Sequence, residues 1–194
     1  MKKVSLSGSP RAGVGKKDAA DLRNEGKIPC VLYGGTEQVS FSANENELKK
    51  IVWSPDVFMI ELDINGRKGN ALIKDVQFHP VTDRLVHIDF LELFPGKPVK
   101  VKLPVRLVGS AEGVKKGGKL LQNFRKISVF GAPENLPDLI EVNVEALNIG
   151  ENIRIKHVSI DGIRLLEAPE AVIASVQTTR NVAQEAAAAA TGKK

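Results

Sequence analysis

Apolar and polar positions alternate through FMIELDIN from Phe58 and again through RKGNALIKDVQF, with Asn65-Gly66 between the two runs. Asparagine and glycine tolerate the left-handed backbone of a two-residue turn, so this stretch predicts a hairpin of two antiparallel strands. His79-Pro80 ends the second strand, because proline has no N–H to give to a ladder. Alternation resumes through RLVHIDFLELF, residues 84–94, and predicts a third strand. It sets His87, Asp89 and Leu91 on one face and Val86, Ile88 and Phe90 on the other. Upstream, Ile28 to Tyr33 reads as a strand closed by Gly34-Gly35. Helical spacing takes over twice. KKDAADLRNE, residues 16–25, predicts a short helix stopped at Gly26, and Leu48, Ile51 and Val52 predict a second that ends near Trp53. Ser42 with Glu45 three positions later fits a capping box for the second helix.

Phe94-Pro95-Gly96-Lys97-Pro98 gathers chain breakers and marks a domain boundary, with a first domain over residues 1–94 and a second over 98–180. Beyond it, Val99, Val101, Leu103, Val105 and Leu107 alternate with Lys100, Lys102, Pro104 and Arg106, a strand with one apolar and one mostly basic face. Gly113, Gly117 and Gly118 with Lys115, Lys116 and Lys119 read as a flexible basic loop. Further runs at 126–130, 139–144, 152–157 and 171–178 read as strands, which makes the second domain all-β. The fold class is mainly β with short helices. Residues 181–194, NVAQEAAAAATGKK, have too few large apolar groups to pack and read as a disordered low-complexity tail.

Composition narrows the function. At 194 residues, 42% hydrophobic and 26% charged, the chain is neither disordered nor collagen-like. No apolar run reaches the roughly 20 residues of a membrane span, so a cytosolic protein with no membrane association, monomeric when free, is the expectation. Cys30 is the one cysteine and has no partner for a disulfide or a zinc knuckle. Charge falls in blocks: residues 1–30 hold seven basic and three acidic side chains, and residues 96–130 hold nine basic ones against Glu112 alone. Such blocks fit patches that meet phosphate backbones; solvated faces are the alternative.

Catalytic readings find little support. PRAGVGKK places Gly15-Lys16 like a phosphate-binding loop, yet Pro10 stands where the first glycine belongs, Lys17 replaces the Ser/Thr, and no apolar strand is expected before it. His79, His87 and Asp89 offer a sparse metal-ligand set for a rival, metal-dependent enzyme reading, and no nucleophile stands beside a base. A protein-interaction module is a third reading. Phe58, Phe78 and Phe90 are expected in the core. What remains is a polar surface: Arg11, Lys16, Lys17, Arg23 and Lys27 from the first segment, with Gln77, His87 and Asp89 from the strands. Lysine and arginine attract phosphates, whereas Gln, His and Asp read base edges and 2′-hydroxyls.

RAGVGKKDAADLRNEGKIPCVLYGG and KDVQFHPVTDRLVHIDFLEL resemble the bacterial large-subunit ribosomal protein twenty-five family in its long form, also called the general stress protein CTC type. The resemblance is strong to about residue 94 and looser to about 180. It implies a six-stranded N-terminal β-barrel that grips the loop E region of 5S rRNA among neighbouring components of the large subunit, with no catalytic role and no cofactor. It also implies RNA-contact or site-shaping roles for Arg11, Lys16, Arg23, Tyr33, Gln77, His79, His87 and Asp89. Where the family carries two basic residues just before the Leu-Arg pair, this chain has Ala20 and Asp21, with Lys17 and Lys27 the nearby cations.

Overall fold

A computed structural model describes residues 1–11, 13–35, 37–160 and 162–179; the expected disordered tail, 181–194, lies outside them. The described chain divides into two compact units, Met1–Val101 with Ala132–Asp138, and Lys102–Gly131 with the chain from Leu139 on.

Six strands close the barrel of the first unit: β1 (Lys2–Pro10), β2 (Lys27–Tyr33), β3 (Val39–Asn44), β4 (Phe58–Ile64), β5 (Arg67–Phe78) and β6 (Leu85–Glu92). Their order around the wall is β1-β3-β2-β6-β5-β4, with β4 returning to β1. The β4–β5 hairpin turns at Asn65 (φ 52°) and Gly66 (φ 91°), both left-handed as the Asn-Gly pair requires. Two short helices interrupt the wall, α1 (Lys16–Asn24) between β1 and β2, and α2 (Glu45–Val52) between β3 and β4. Gly26, at φ 75°, stops α1 as expected.

Alternation fills the interior. Leu6, Ile28, Phe41, Ile60, Ile88 and Phe90 are all within 2% of complete burial, and α2 adds Leu48 and Ile51 to the same core. The Phe41 and Phe90 rings meet at 5.4 Å and 46°. Burial on this scale is what holds the barrel together, since truncating one such side chain to alanine costs about 2–5 kcal/mol.

Three readings of the sequence are corrected here. Residues 2–10, where no strand is expected before the Gly15-Lys16 loop, form β1, which runs parallel to β4 and antiparallel to β3. Only Val4 and Leu6 carry its apolar face, and Gly8 replaces a side chain because a Cβ there would stand 2.6 Å from the Phe41 ring. Ser42 is a strand residue: the N-cap of α2 is Asn44, whose side chain accepts the backbone N–H of Asn46 at 2.9 Å. Phe78 is not a core residue; it is 39% exposed and stacks on Trp53.

Beyond the barrel come a four-stranded sheet, β10 (Ile140–Asn143)-β7 (Val99–Val108)-β9 (Lys126–Gly131)-β12 (Ile163–Leu165), and a three-stranded sheet, β11 (Asn152–Arg154)-β13 (Val172–Gln177)-β8 (Lys119–Gln122), all within the second unit except the first three residues of β7. In β7, Val99, Val101, Leu103 and Val105 are buried while Lys100, Lys102 and Arg106 are exposed. The stretch read as a flexible loop is instead built. It forms a short helix, α3 (Glu112–Lys115), and then β8. Its glycines serve packing: a Cβ on Gly113 would lie 2.8 Å from the Asn148–Ile149 backbone, and one on Gly118 2.6 Å from Val176.

Candidate nucleic-acid interface

Helix α1 packs beside β2 and is joined to β6 at an irregularity in the wall. Pairing between β5 and β6 steps from Gln77↔His87 to Phe78↔Leu85, so Val86 has no partner residue on β5. Such a bulge redirects backbone groups. The Val86 carbonyl accepts a hydrogen bond from Arg23 Nε at 3.1 Å, which docks α1 on β6 next to His87. Leu22 and Arg23 are half-buried, whereas Lys16, Lys17, Ala20 and Asp21 face solvent. Among the described residues, Lys16 and Lys17 have no charged partner, while Lys27 is held by Glu25 at 3.1 Å. Of the two nearby cations, Lys17 is therefore the uncommitted one.

Between the Val86 bulge and a second one at Lys74, one register sets Asp75 directly opposite Asp89 and Gln77 opposite His87. On the other flank of β6, Val31 is in register with Asp89 and Tyr33 with Leu91. Tyr33, Gln77, His87 and Asp89 thus share the outer face of three adjacent strands. His87 Nδ1 lies 2.8 Å from Asp89 Oδ1. A carboxylate against Nδ1 favours an N–H at that nitrogen and leaves Nε2 as the ring's other polar atom. The Tyr33 hydroxyl is held above its ordinary titration range, first by burial and then by the Asp89 and Asp75 carboxylates, so it stays an O–H donor. Two carboxylates facing each other across a strand pair repel; their placement suits recognition better than stability.

His79 has a different position. Its Nδ1 accepts the backbone N–H groups of Val81 and Thr82, both at 3.3 Å, and its own backbone pairs with Arg84 and Asp83. It caps the β5–β6 turn, in which Asp83 takes φ 53°. The turn and α1 enclose a cleft of about 360 Å³ whose cationic walls are Arg23 and Arg84, with His79 and Thr82 beside them. Arg84 also reaches Glu45 at 3.5 Å, and Lys49 reaches the same carboxylate at 3.0 Å. Lys49 foremost, and Arg84 after it, hold Glu45 below the usual carboxylate range.

Arg11 is turned inward. Its side chain is only 9% exposed, it pairs with Asp18 of α1, and its Nε is buried without a partner. Its backbone N–H donates to Ser40 at 3.0 Å. Its evident work is to tie the loop after β1 to α1, not to offer charge to solvent. The metal reading loses its geometry, since His79 is spent on the turn and no group of three or more His, Cys, Asp or Glu among the described residues is arranged to hold an ion. A strand does precede the Gly15-Lys16 loop, contrary to expectation, yet Pro10 and Lys17 still break the phosphate-loop template. Sequence reading passed over Asp75, Thr82 and Arg84. Asp75 lies two positions before Gln77 on β5 with no bulge between them, so alternation alone places it on the same face.

Fold and face together define a class: a two-unit β protein whose barrel carries a cationic helix beside a polar strand face. Residues 6–90 match the Ribosomal L25p family and residues 98–180 match the family described as Ribosomal protein TL5, C-terminal domain. Similar proteins include a large ribosomal subunit protein bL25 of Bacteroides thetaiotaomicron, 39% identical over all of both chains. Others of that name are 42% identical in Porphyromonas gingivalis, over 93% of this chain and 95% of the relative, and 44% identical in Azobacteroides pseudotrichonymphae, over 93% and 96%. The chain belongs to the bL25 family of large-subunit ribosomal proteins, in its long, two-domain form, a family of structural components and not of enzymes. Among the described residues no helix is long and apolar enough to cross a membrane.

Proposed function

We propose that this protein binds 5S rRNA at its loop E region, through α1 and the outer face of β2, β5 and β6, within the cytoplasmic ribosome. The observation that carries the reading is the Arg23–Val86 hydrogen bond, which sets the cationic helix edge-on to the strand face bearing His87 and Asp89. Lys16 and Lys17 approach phosphates and release counterions, as does Arg23, whose Nη1 and Nη2 have no partner among the described residues. Tyr33 donates its O–H, Gln77 donates and accepts, His87 offers Nε2, and Asp89 accepts from amino groups or 2′-hydroxyls. Phosphate contacts supply affinity and position; the strand face supplies selectivity for a widened, irregular RNA helix. Arg11 and His79 act one step back, holding the loop and turn that frame the dock.

The second domain, taken to begin near residue 98, offers the exposed Lys100, Lys102 and Arg106 row of β7 to rRNA or another acidic neighbour. Crosslinks confined to residues 1–94 in the assembled subunit would reject that part. The free protein is a monomer on this reading, and a sedimentation experiment reads that directly.

A gel shift of the full chain with isolated 5S rRNA across a salt series tests the main reading. Binding tighter than to a generic RNA duplex, with log affinity falling linearly in log salt, is expected. Equal binding to both RNAs contradicts it.

A further inference from the structure

Trp53, the only tryptophan in the chain, closes α2 with its backbone N–H on the Lys49 carbonyl at 3.0 Å. Its indole lies parallel to the Phe78 ring, with centroids 5.1 Å apart and planes 7° apart. That contact uses one face of the indole. Trp53 is still 56% exposed, whereas Phe41 and Phe90 of the same unit are fully buried. Here the larger ring is the more exposed of the two, since Phe78 is 39% exposed. Lys50 precedes Trp53 by three positions and so shares its side of the helix, is exposed, and has no charged partner among the described residues. Phe78 stands between Gln77 and His79 in the chain and opposite Leu85, next to Arg84, whose side chain is 62% exposed.

We propose that the free face of Trp53 stacks an unpaired nucleobase of the bound RNA, with Lys50 and Arg84 taking the flanking phosphates. The inference rests on the RNA-binding reading above and adds a contact of a different chemistry to it. Every base presents a π face, so the contact takes any base and demands only that it be unpaired. An apolar protein surface would satisfy the rings and leave Lys50, exposed and without a charged partner among the described residues, unmatched, whereas a nucleotide brings its phosphate with its base, which is why the nucleobase is favoured.

Because Trp53 is alone, its emission reports this contact without labelling. The full chain is titrated with isolated 5S rRNA, with oligouridylate and with a fully paired RNA duplex, while binding is followed independently by anisotropy of labelled RNA. Quenching that saturates together with 5S rRNA binding is expected, with quenching by oligouridylate at higher concentration and little by the duplex. Trp53→Ala should weaken 5S rRNA binding by about fivefold or more, and Trp53→Phe should largely restore it. Lys50→Glu, at an exposed position that the fold does not depend on, should weaken binding and delay quenching together. Binding with undiminished affinity and unchanged emission overturns the platform and leaves the RNA dock standing. Absence of 5S rRNA binding overturns both. Emission that responds to a ribosomal protein of the subunit but to none of the RNAs overturns the nucleobase in favour of a protein contact.

Discussion

Arg23 Nε and the Val86 carbonyl oxygen, 63 positions apart in the chain, meet at 3.1 Å in a place where the β5–β6 ladder leaves Val86 without an opposing residue. A bulge in one strand thus anchors a helix whose own apolar content is too small to do so, since α1 buries no residue completely. Hydrogen bonds from charged donors contribute about 1.5–3 kcal/mol, enough to hold a nine-residue helix that is marginal alone.

Arg23 therefore has two separable duties. Arg23→Lys keeps the charge but loses the Nε that reaches Val86, and Arg23→Ala loses both. In filter binding across a salt series, Arg23→Ala should lower 5S rRNA affinity and reduce the salt slope by about one. Arg23→Lys should lower affinity with the slope nearly unchanged. An unchanged slope in the alanine variant removes Arg23 from the phosphate contacts.

His87 and Asp89 carry selectivity. His87→Ala should lose preference for 5S rRNA over generic duplex by about 5- to 100-fold, the share of one good polar base contact, while duplex affinity changes little. Competition assays with both RNAs read the ratio. Equal losses on the two would make His87 a general attachment point.

Tyr33 is the only tyrosine, so phenolate absorbance reports it alone. Its titration lies above the ordinary value of 10.0, through burial first and the Asp89 and Asp75 carboxylates after it. Replacing Asp89 with Asn removes one upward cause, and the titration should move to lower pH without reaching that of an unfolded chain. In the native protein, the stability that Tyr33 contributes is fully present below pH 10 and disappears as pH rises through the folded value. A titration that does not move in Asp89→Asn separates the two side chains.

Cys30 is wholly buried on β2, and burial pushes its thiol far above the ordinary value. Thiolate is the reactive form. Alkylation at neutral pH should thus be slow in the native protein and accelerate only in denaturant, in step with loss of the barrel. Rapid labelling of the native chain would mean that β2 opens locally.

The parts of this fold legible in the sequence are those where pattern and turn chemistry agree. Asn65-Gly66 between alternating runs specifies the β4–β5 hairpin, and the alternation of β6 separates Ile88 and Phe90 from His87 and Asp89. β1 escaped because two apolar residues among serines and lysines make a weak signal, and its pairing is with distant β4 and β3. The Ser42–Glu45 box mimicked a cap one strand-end too early; the chain leaves β3 only at Asn44, which caps instead. Lys16, Lys17 and Arg23 were legible as a basic helix, but the inward turn of Arg11 and the role of His79 as a turn cap depend on Asp18 and on backbone N–H groups that only the folded chain brings near. Glycines 113 and 118 looked like flexibility because sequence cannot distinguish a glycine that bends from one that makes room.

The most direct measurement of the central claim is amide hydrogen exchange of the full chain, read by mass spectrometry, with and without saturating 5S rRNA. New protection is expected across residues 16–33 and 75–91, where α1, β2 and the β5–β6 face lie, with the β1–β4 pairing unchanged. Protection confined to the second unit, or spread evenly over the chain, would contradict it.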